Sequence, residues 1–141
     1  PERRPGGPFV NMNDPNAEAH FVRDISPALE GTGWRWTLTR PQLRFWLDST
    51  KRQKFVMDFG LPPATFQQTG PVTLSFFING RLLGAVGYAC AGDHHFEKAV
   101  PAAWLSTEAE TLVAIVADKP WVSPTDGVKL SFTLFRAGFI S

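Results

Sequence analysis

The chain has 141 residues, 43% hydrophobic and 19% charged, with 14 Lys and Arg against 13 Asp and Glu and a formal net charge of +1. That composition excludes intrinsic disorder, no Lys/Arg-dense segment points to nucleic acid, and no apolar run approaches the roughly 20 residues that a membrane-spanning helix needs. The lone Cys90 rules out an internal disulfide and leaves the compartment open.

Pro1 to Ala19 carries four prolines and two adjacent glycines without periodicity, which predicts a linker or surface arm over 1–19 and one folded domain over 20–141. The opening at Pro1, with no signal-like segment, predicts a piece of a longer protein. His20 to Ile25 reads as a first strand. In Trp34-Arg35-Trp36-Thr37-Leu38 the period of two puts Trp34, Trp36 and Leu38 on the core face and Arg35 and Thr37 outside. Pro41 is expected to break that run. Gln42 to Asp48 resumes it, with Leu43, Phe45 and Leu47 inward and Arg44, Trp46 and Asp48 outward. Phe55, Met57 and Phe59 mark the next strand, ended by Gly60 and Pro62-Pro63, and Leu61 to Gly70 reads as a long connection.

Pro71 to Tyr88 is the strongest local signal. Val72, Leu74, Phe76 and Ile78 alternate with Thr73, Ser75, Phe77 and Asn79, and Asn79-Gly80 is the pair that a two-residue type I′ hairpin turn favours. His94 to Val100 predicts a short strand, and Pro101 to Leu105 one helical turn whose Trp104 and Leu105 plug the core. Thr111 to Ala117 is apolar after its first residue, the pattern of a strand covered on both faces, although a short buried helix gives the same pattern. Asp118 to Gly127 is a proline-punctuated loop carrying Trp121. Val128 to Phe135 closes the chain as a long strand with Val128, Leu130, Phe132 and Leu134 inward. Eight or nine short strands without a convincing amphipathic helix predict an all-β, antiparallel sandwich, jelly-roll first and immunoglobulin-like second.

From Ile78 to Asp118 the pattern resembles the galactose-binding-like β-sandwich (jelly-roll) domains appended to glycoside hydrolases. The residues that carry it are Ile78-Asn79-Gly80, the return strand Leu82 to Tyr88, the turn at Gly92, Val100-Pro101-Ala102-Ala103-Trp104-Leu105 and Leu112 to Val116. These are structural features, so the resemblance implies the fold more than a ligand. It covers the second half of the chain, and no ligand-binding motif matches residue by residue.

Five tryptophans invite a sugar-binding reading, because an exposed indole stacks on the apolar face of a pyranose while nearby polar groups bond its hydroxyls. Trp34, Trp36 and Trp104 are in phase with core residues. Trp46 with Arg44, together on the polar face of their strand, and Trp121, on a loop stiffened by Pro120 and Pro124, are the candidate ligand-binding residues. Asp93, His94, His95 and His20 are metal-capable residue types, but neighbours on a strand point to opposite faces, so His94 and His95 cannot readily share one ion. Asn11, Asn13 and Asp14 offer oxygens suited to calcium and read more simply as a turn. No nucleophile elbow, phosphate loop or zinc-helix motif is present, the pair Asp48 and Asp58 reads as solvated, and Cys90 reads as a small buried hydrophobe. No catalytic residue, metal or cofactor is assigned.

These features predict a non-catalytic accessory domain of a larger, bacterial-type carbohydrate-active or surface protein, with a glycan as candidate partner. The alternative is a structural or interaction module that packs on a neighbouring domain or a second copy of the chain.

Overall fold

A computed structural model describes residues 7–31 and 33–141. Its strands are β1 (Phe9–Asn11), β2 (Phe21–Ile25), β3 (Arg35–Phe45), β4 (Lys54–Leu61), β5 (Val72–Ile78), β6 (Arg81–Tyr88), β7 (Gly92–Ala99), β8 (Thr111–Ala117), β9 (Trp121–Val122), β10 (Lys129–Leu130) and β11 (Thr133–Ile140). One helix, α1 (Pro63–Thr69), and 3-10 turns at Ala17–His20 and Ala102–Trp104 complete it.

Hydrogen bonding follows the order β6-β5-β8-β3-β11-β4-β7, with β1 added to β11, β2 added to β3, and β9-β10 as a separate ribbon. Every strand pairing is antiparallel. The path turns a corner at β3–β11, where only Trp36↔Thr133 and Arg35↔Leu134 pair. Two layers result, β2-β3-β8-β5-β6 and β1-β11-β4-β7, and they face each other as the predicted sandwich. Between them lies an aromatic core. Phe55 meets Phe76, Phe96 and Phe139 at ring centroids 6.3, 6.2 and 5.5 Å away, and Phe76 stacks on Phe96 at 3.8 Å.

The central hairpin forms as its sequence predicts. Asn79 and Gly80 take φ of 50° and 83°, which a type I′ turn requires. A register shift between Phe76 and Phe77 then rotates Leu83 into the core and leaves Leu82 outside, 54% exposed.

Several expectations are corrected. The folded part does not begin near His20: β1 pairs with β11, and Val10, Met12 and Ala17 are buried in the core. The first six residues of the arm expected over 1–19 lie outside the described residues. Pro41 does not break a strand, since β3 runs through it and uneven pairing with β2 absorbs its missing N–H. The connection after Leu61 contains α1; Pro63 is its first residue, and the Thr65 hydroxyl donates to the Pro62 carbonyl. Thr111 to Ala117 is a strand, yet its outer face is uncovered and Leu112 is 41% exposed. The closing strand divides at Ser131-Phe132, where the Thr37 backbone takes up both: Ser131 N–H donates to Thr37 O and Thr37 N–H to Phe132 O. Val128 consequently lies outside while Phe132 and Leu134 are buried.

The N-terminal strand is held by backbone contact. A Cβ added at Gly138 stands 2.5 Å from both Phe9 Cα and the Pro8 carbonyl oxygen, a distance only glycine avoids without movement. Gly138→Ala is therefore expected to destabilise the domain by about 1–3 kcal/mol by pushing β1 off β11. Phe55→Ala, which empties the centre of the core, should lower stability by about 3–5 kcal/mol. Urea titration followed by tryptophan fluorescence measures both.

Candidate functional site

A strand cannot change which side its odd residues face unless a bulge or break intervenes. The pairing of β3 with β2 is irregular between Thr37 and Gln42, yet the parity set by buried Leu43 and Phe45 recurs at Thr37 and Arg35, which are buried, and turns Trp34, Trp36 and Leu38 outward. This overturns the expectation that Trp34 and Trp36 belong to the core.

The two buried polar residues of β3, Thr37 and Arg35, are satisfied by main chain. Thr37 Oγ1 donates to the Phe132 carbonyl at 2.9 Å and accepts from Phe132 N–H at 3.1 Å. Arg35 donates from Nε to the Met12 carbonyl at 3.1 Å and from Nη1 to the Pro27 carbonyl at 2.7 Å, with its guanidinium 5.2 Å from the Phe21 ring centre. Its hydrogen bonds tie the N-terminal segment to the β2–β3 loop, meeting the requirement that buried charge find strong partners.

Outside that layer the indoles assemble. Trp34 meets Trp36 edge-on at 5.8 Å, and Trp121, held on the β9–β10 ribbon, stacks on Trp36 at 6.4 Å and 19°. All three are half-buried. Beside Trp36 opens a cleft of about 440 Å³, walled by Asp24, Ser26 and Pro27 of the β2–β3 connection and by Ser123, Asp126 and Leu130 of the ribbon. The walls are braced. Asp24, at φ 61°, accepts from Arg40 N–H at 2.9 Å, Asp126 accepts from Val128 N–H at 3.1 Å, and the Ser123 and Thr125 hydroxyls bond each other at 2.9 Å. An aromatic floor with carboxylate and hydroxyl walls can bind a ligand that has one apolar face and a polar rim.

Of the three residues singled out from sequence, Trp121 stacks on Trp36, which lines the cleft, without being part of the lining itself. Trp46 and Arg44 do not. Trp46 lies ten residues along from Trp36 on the same extended run, roughly 30 Å away at about 3.3 Å per residue. It is half-buried, its ring edge-on to buried His20 at 5.6 Å and its N–H bonded to the Gly7 carbonyl. Arg44 is occupied by the Phe21 carbonyl at 3.2 Å and by Glu110 at 3.8 Å. Sequence reasoning missed Trp36. The signal that could have found it was the phase of Leu43 and Phe45, carried back across Pro41. Trp104 packs against the core as expected, whereas Cys90 is exposed rather than buried.

A second polar cluster occupies the outer face of β7, β4 and β11. His94 and His95 point apart: His94 stacks on Phe59 and donates to the Cys90 carbonyl at 2.7 Å, while His95 faces out. His95 Nδ1 lies 2.6 Å from Asp58 and Nε2 lies 3.1 Å from Glu97; Arg136 adds a 2.7 Å bond to Asp58 and Lys54 a 3.4 Å contact to Glu97. Asp58 is thus ion-paired rather than merely solvated, while Asp48 is exposed. Among the described residues no three His, Cys, Asp or Glu side chains are grouped to hold a metal, and Asp14 accepts from Asn11 N–H to close a turn.

Both ring nitrogens of His95 face carboxylates, a geometry fully used only by imidazolium, so the hydrogen bonds to Asp58 and then Glu97 raise its pKa. At Asp58 partial burial pushes upward, but the bonds from His95 and Arg136 prevail and lower it; those from His95 and Lys54 lower Glu97. The imidazolium's share of stability is complete below the ordinary histidine pKa and fades as pH rises through the raised value. The carboxylates' share is complete above their ordinary range and fades on acidification. His95→Gln should therefore lower Tm by about 1–3 °C near pH 5.5 and by less near pH 9, the small size reflecting exposure to solvent. Calorimetry at the two pH values measures the difference.

No protein-family model matches the sequence, and no curated protein does. Solved structures match by backbone. A family 35 carbohydrate-binding module from Clostridium thermocellum superposes with a TM-score of 0.52 at 10% identity, covering 94% of this chain and 98% of that one. A family GH115 4-O-methyl-α-glucuronidase with specificity for decorated arabinogalactans superposes with a TM-score of 0.54 at 9% identity, over 100% of this chain and 18% of that one. What these proteins share with the chain is the fold, an antiparallel β-sandwich consistent with the galactose-binding-like resemblance.

Proposed function

We propose that the chain is a non-catalytic glycan-binding domain whose ligand lies in the cleft beside Trp36 and Trp121. The observation that carries this reading is Trp36 itself. A large indole stands outside the core, backed by a second indole and bordered by carboxylates and hydroxyls at the scale of an ordinary ligand pocket. The low polar-group mobility of a hydrogen-bonded wall reduces the ordering lost on binding. The fold is shared with a carbohydrate-binding module, which raises the prior for a sugar without naming one. Trp46 and Arg44 stand outside this proposed site.

A second reading, packing against a neighbouring domain or second copy, is favoured by a different surface. On the outer face of β8, β5 and β6, Ala114, Phe77 and Leu82 are cross-strand neighbours and Leu112 stands nearby, so an apolar band is open to solvent.

Two measurements separate the readings. An array of neutral and acidic plant oligosaccharides, read with the wild-type domain and with Trp36→Ala and Trp121→Ala, should show binding that drops about tenfold or more in either variant. Binding unchanged in both folded variants removes the cleft from the role. Light scattering reporting a dimer that Leu82→Lys dissociates, with no array signal, selects the packing surface instead.

A further inference from the structure

The cleft beside Trp36 does not end there. A second depression of about 260 Å³ lies beyond the indole, formed by Trp34, Leu61, Pro62, Pro63 and Phe135, and Trp36 is a wall of both. A third, of about 470 Å³, holds Asp58, His94, His95 and Arg136, and it shares Asp93 and Phe135 with the second. Each hollow therefore adjoins the next through a common side chain. By itself the middle one falls below the roughly 300–1,000 Å³ of ordinary ligand pockets, so it makes more sense as the waist of a longer groove than as a site.

Chemical character changes along this track in a way that suits a chain of sugars. One end offers the Ser123 and Ser26 hydroxyls and the Asp24 and Asp126 carboxylates. The waist is indole and proline, apolar surface for ring faces, and its two prolines have fixed φ and little entropy to lose. The far end is polar again. Arg136 uses Nη1 on Asp58 and Nε on Asn11, and among the described residues Nη2 has no partner; the Asp93 carboxylate likewise is exposed without a hydrogen bond. These two groups offer a donor and an acceptor to hydroxyls that arrive beyond the waist.

We propose that the three hollows form one groove that binds an extended oligosaccharide, running from the β9–β10 ribbon over Trp36 to Asp93 and Arg136, rather than a single terminal sugar. The proposal rests on the glycan reading and names the ligand class of that site: an internal stretch of a polysaccharide. A domain of this kind follows a polymer backbone, and its affinity grows with each sugar that reaches a new hollow.

Calorimetric titration with matched disaccharides and hexasaccharides of the xylo-, manno- and galacto-series tests it. The expected result is a hexasaccharide bound about tenfold or more tightly than the disaccharide of the same series. Arg136→Ala and Asp93→Ala should each weaken the hexasaccharide severalfold, and hexasaccharide addition should shift the backbone amide resonances of Asp93 and Arg136, which a purely structural role would not produce. Equal affinity for both lengths, with dependence on Trp36, overturns the extended groove and leaves the glycan reading intact. Absence of binding across all series overturns both.

Discussion

The continuity of β3 is the constraint on which the rest of this molecule depends. Side chains of a strand alternate sides, and along β3 the odd residues, exposed Thr39 apart, stay buried on both sides of its irregular pairing with β2. Leu43 and Phe45 fix that choice, because moving two large apolar residues from the core to water opposes folding by several kcal/mol at about 1.5–3 kcal/mol each. Arg35 and Thr37 must then be buried, and Trp34 and Trp36 must not. The surface indoles are the other side of a decision made by the core.

Burial of Arg35 is the unfavourable part of that arrangement. A guanidinium away from water needs hydrogen bonds of good geometry, and here carbonyls of Met12 and Pro27 supply them together with the Phe21 ring. One of these, Pro27, also belongs to the wall of the Trp36 cleft. The same side chain that the strand's parity forces inward fastens the N-terminal segment and the cleft wall, so folding and shaping of the cleft are one event. Removal of a partner from such a buried charge is expensive, which keeps the wall in place.

The two outer faces of the sandwich differ in kind. On β7, β4 and β11 the outward residues are ionised and joined through His95, Asp58, Glu97, Arg136 and Lys54 into a network whose members neutralise one another. On β8, β5 and β6 they are small or apolar. The tryptophan end lies where the layers meet at the β3–β11 corner, neither face nor core, and there loops from both layers can surround an exposed ring. Sites placed at such junctions use the rigidity of the strands while their chemistry is set by connections, which is why a shared fold and a shared ligand are separate questions.

Much of this was legible in the amino-acid sequence. The alternation over Val72 to Ile78 with Asn79-Gly80 determined a hairpin, the absence of long 3.6-period patterns determined an all-β class, and His94 and His95 had to point apart on a strand. These are local consequences of backbone geometry. What sequence left open was everything that depends on what lies across the sheet. Trp-x-Trp-x-Leu looks like a core phrase until Leu43 and Phe45, on the far side of Pro41, claim the inside; whether Pro41 ends a strand depends on which neighbour needs its missing N–H. Val10 and Met12 looked like part of a proline-rich arm until β11 offered them an edge with Gly138 cut away beneath Phe9. Only the tertiary structure could decide these, because side-chain hydrophobicity states a preference for burial, and the identity of the partner strand settles which of two competing preferences is met.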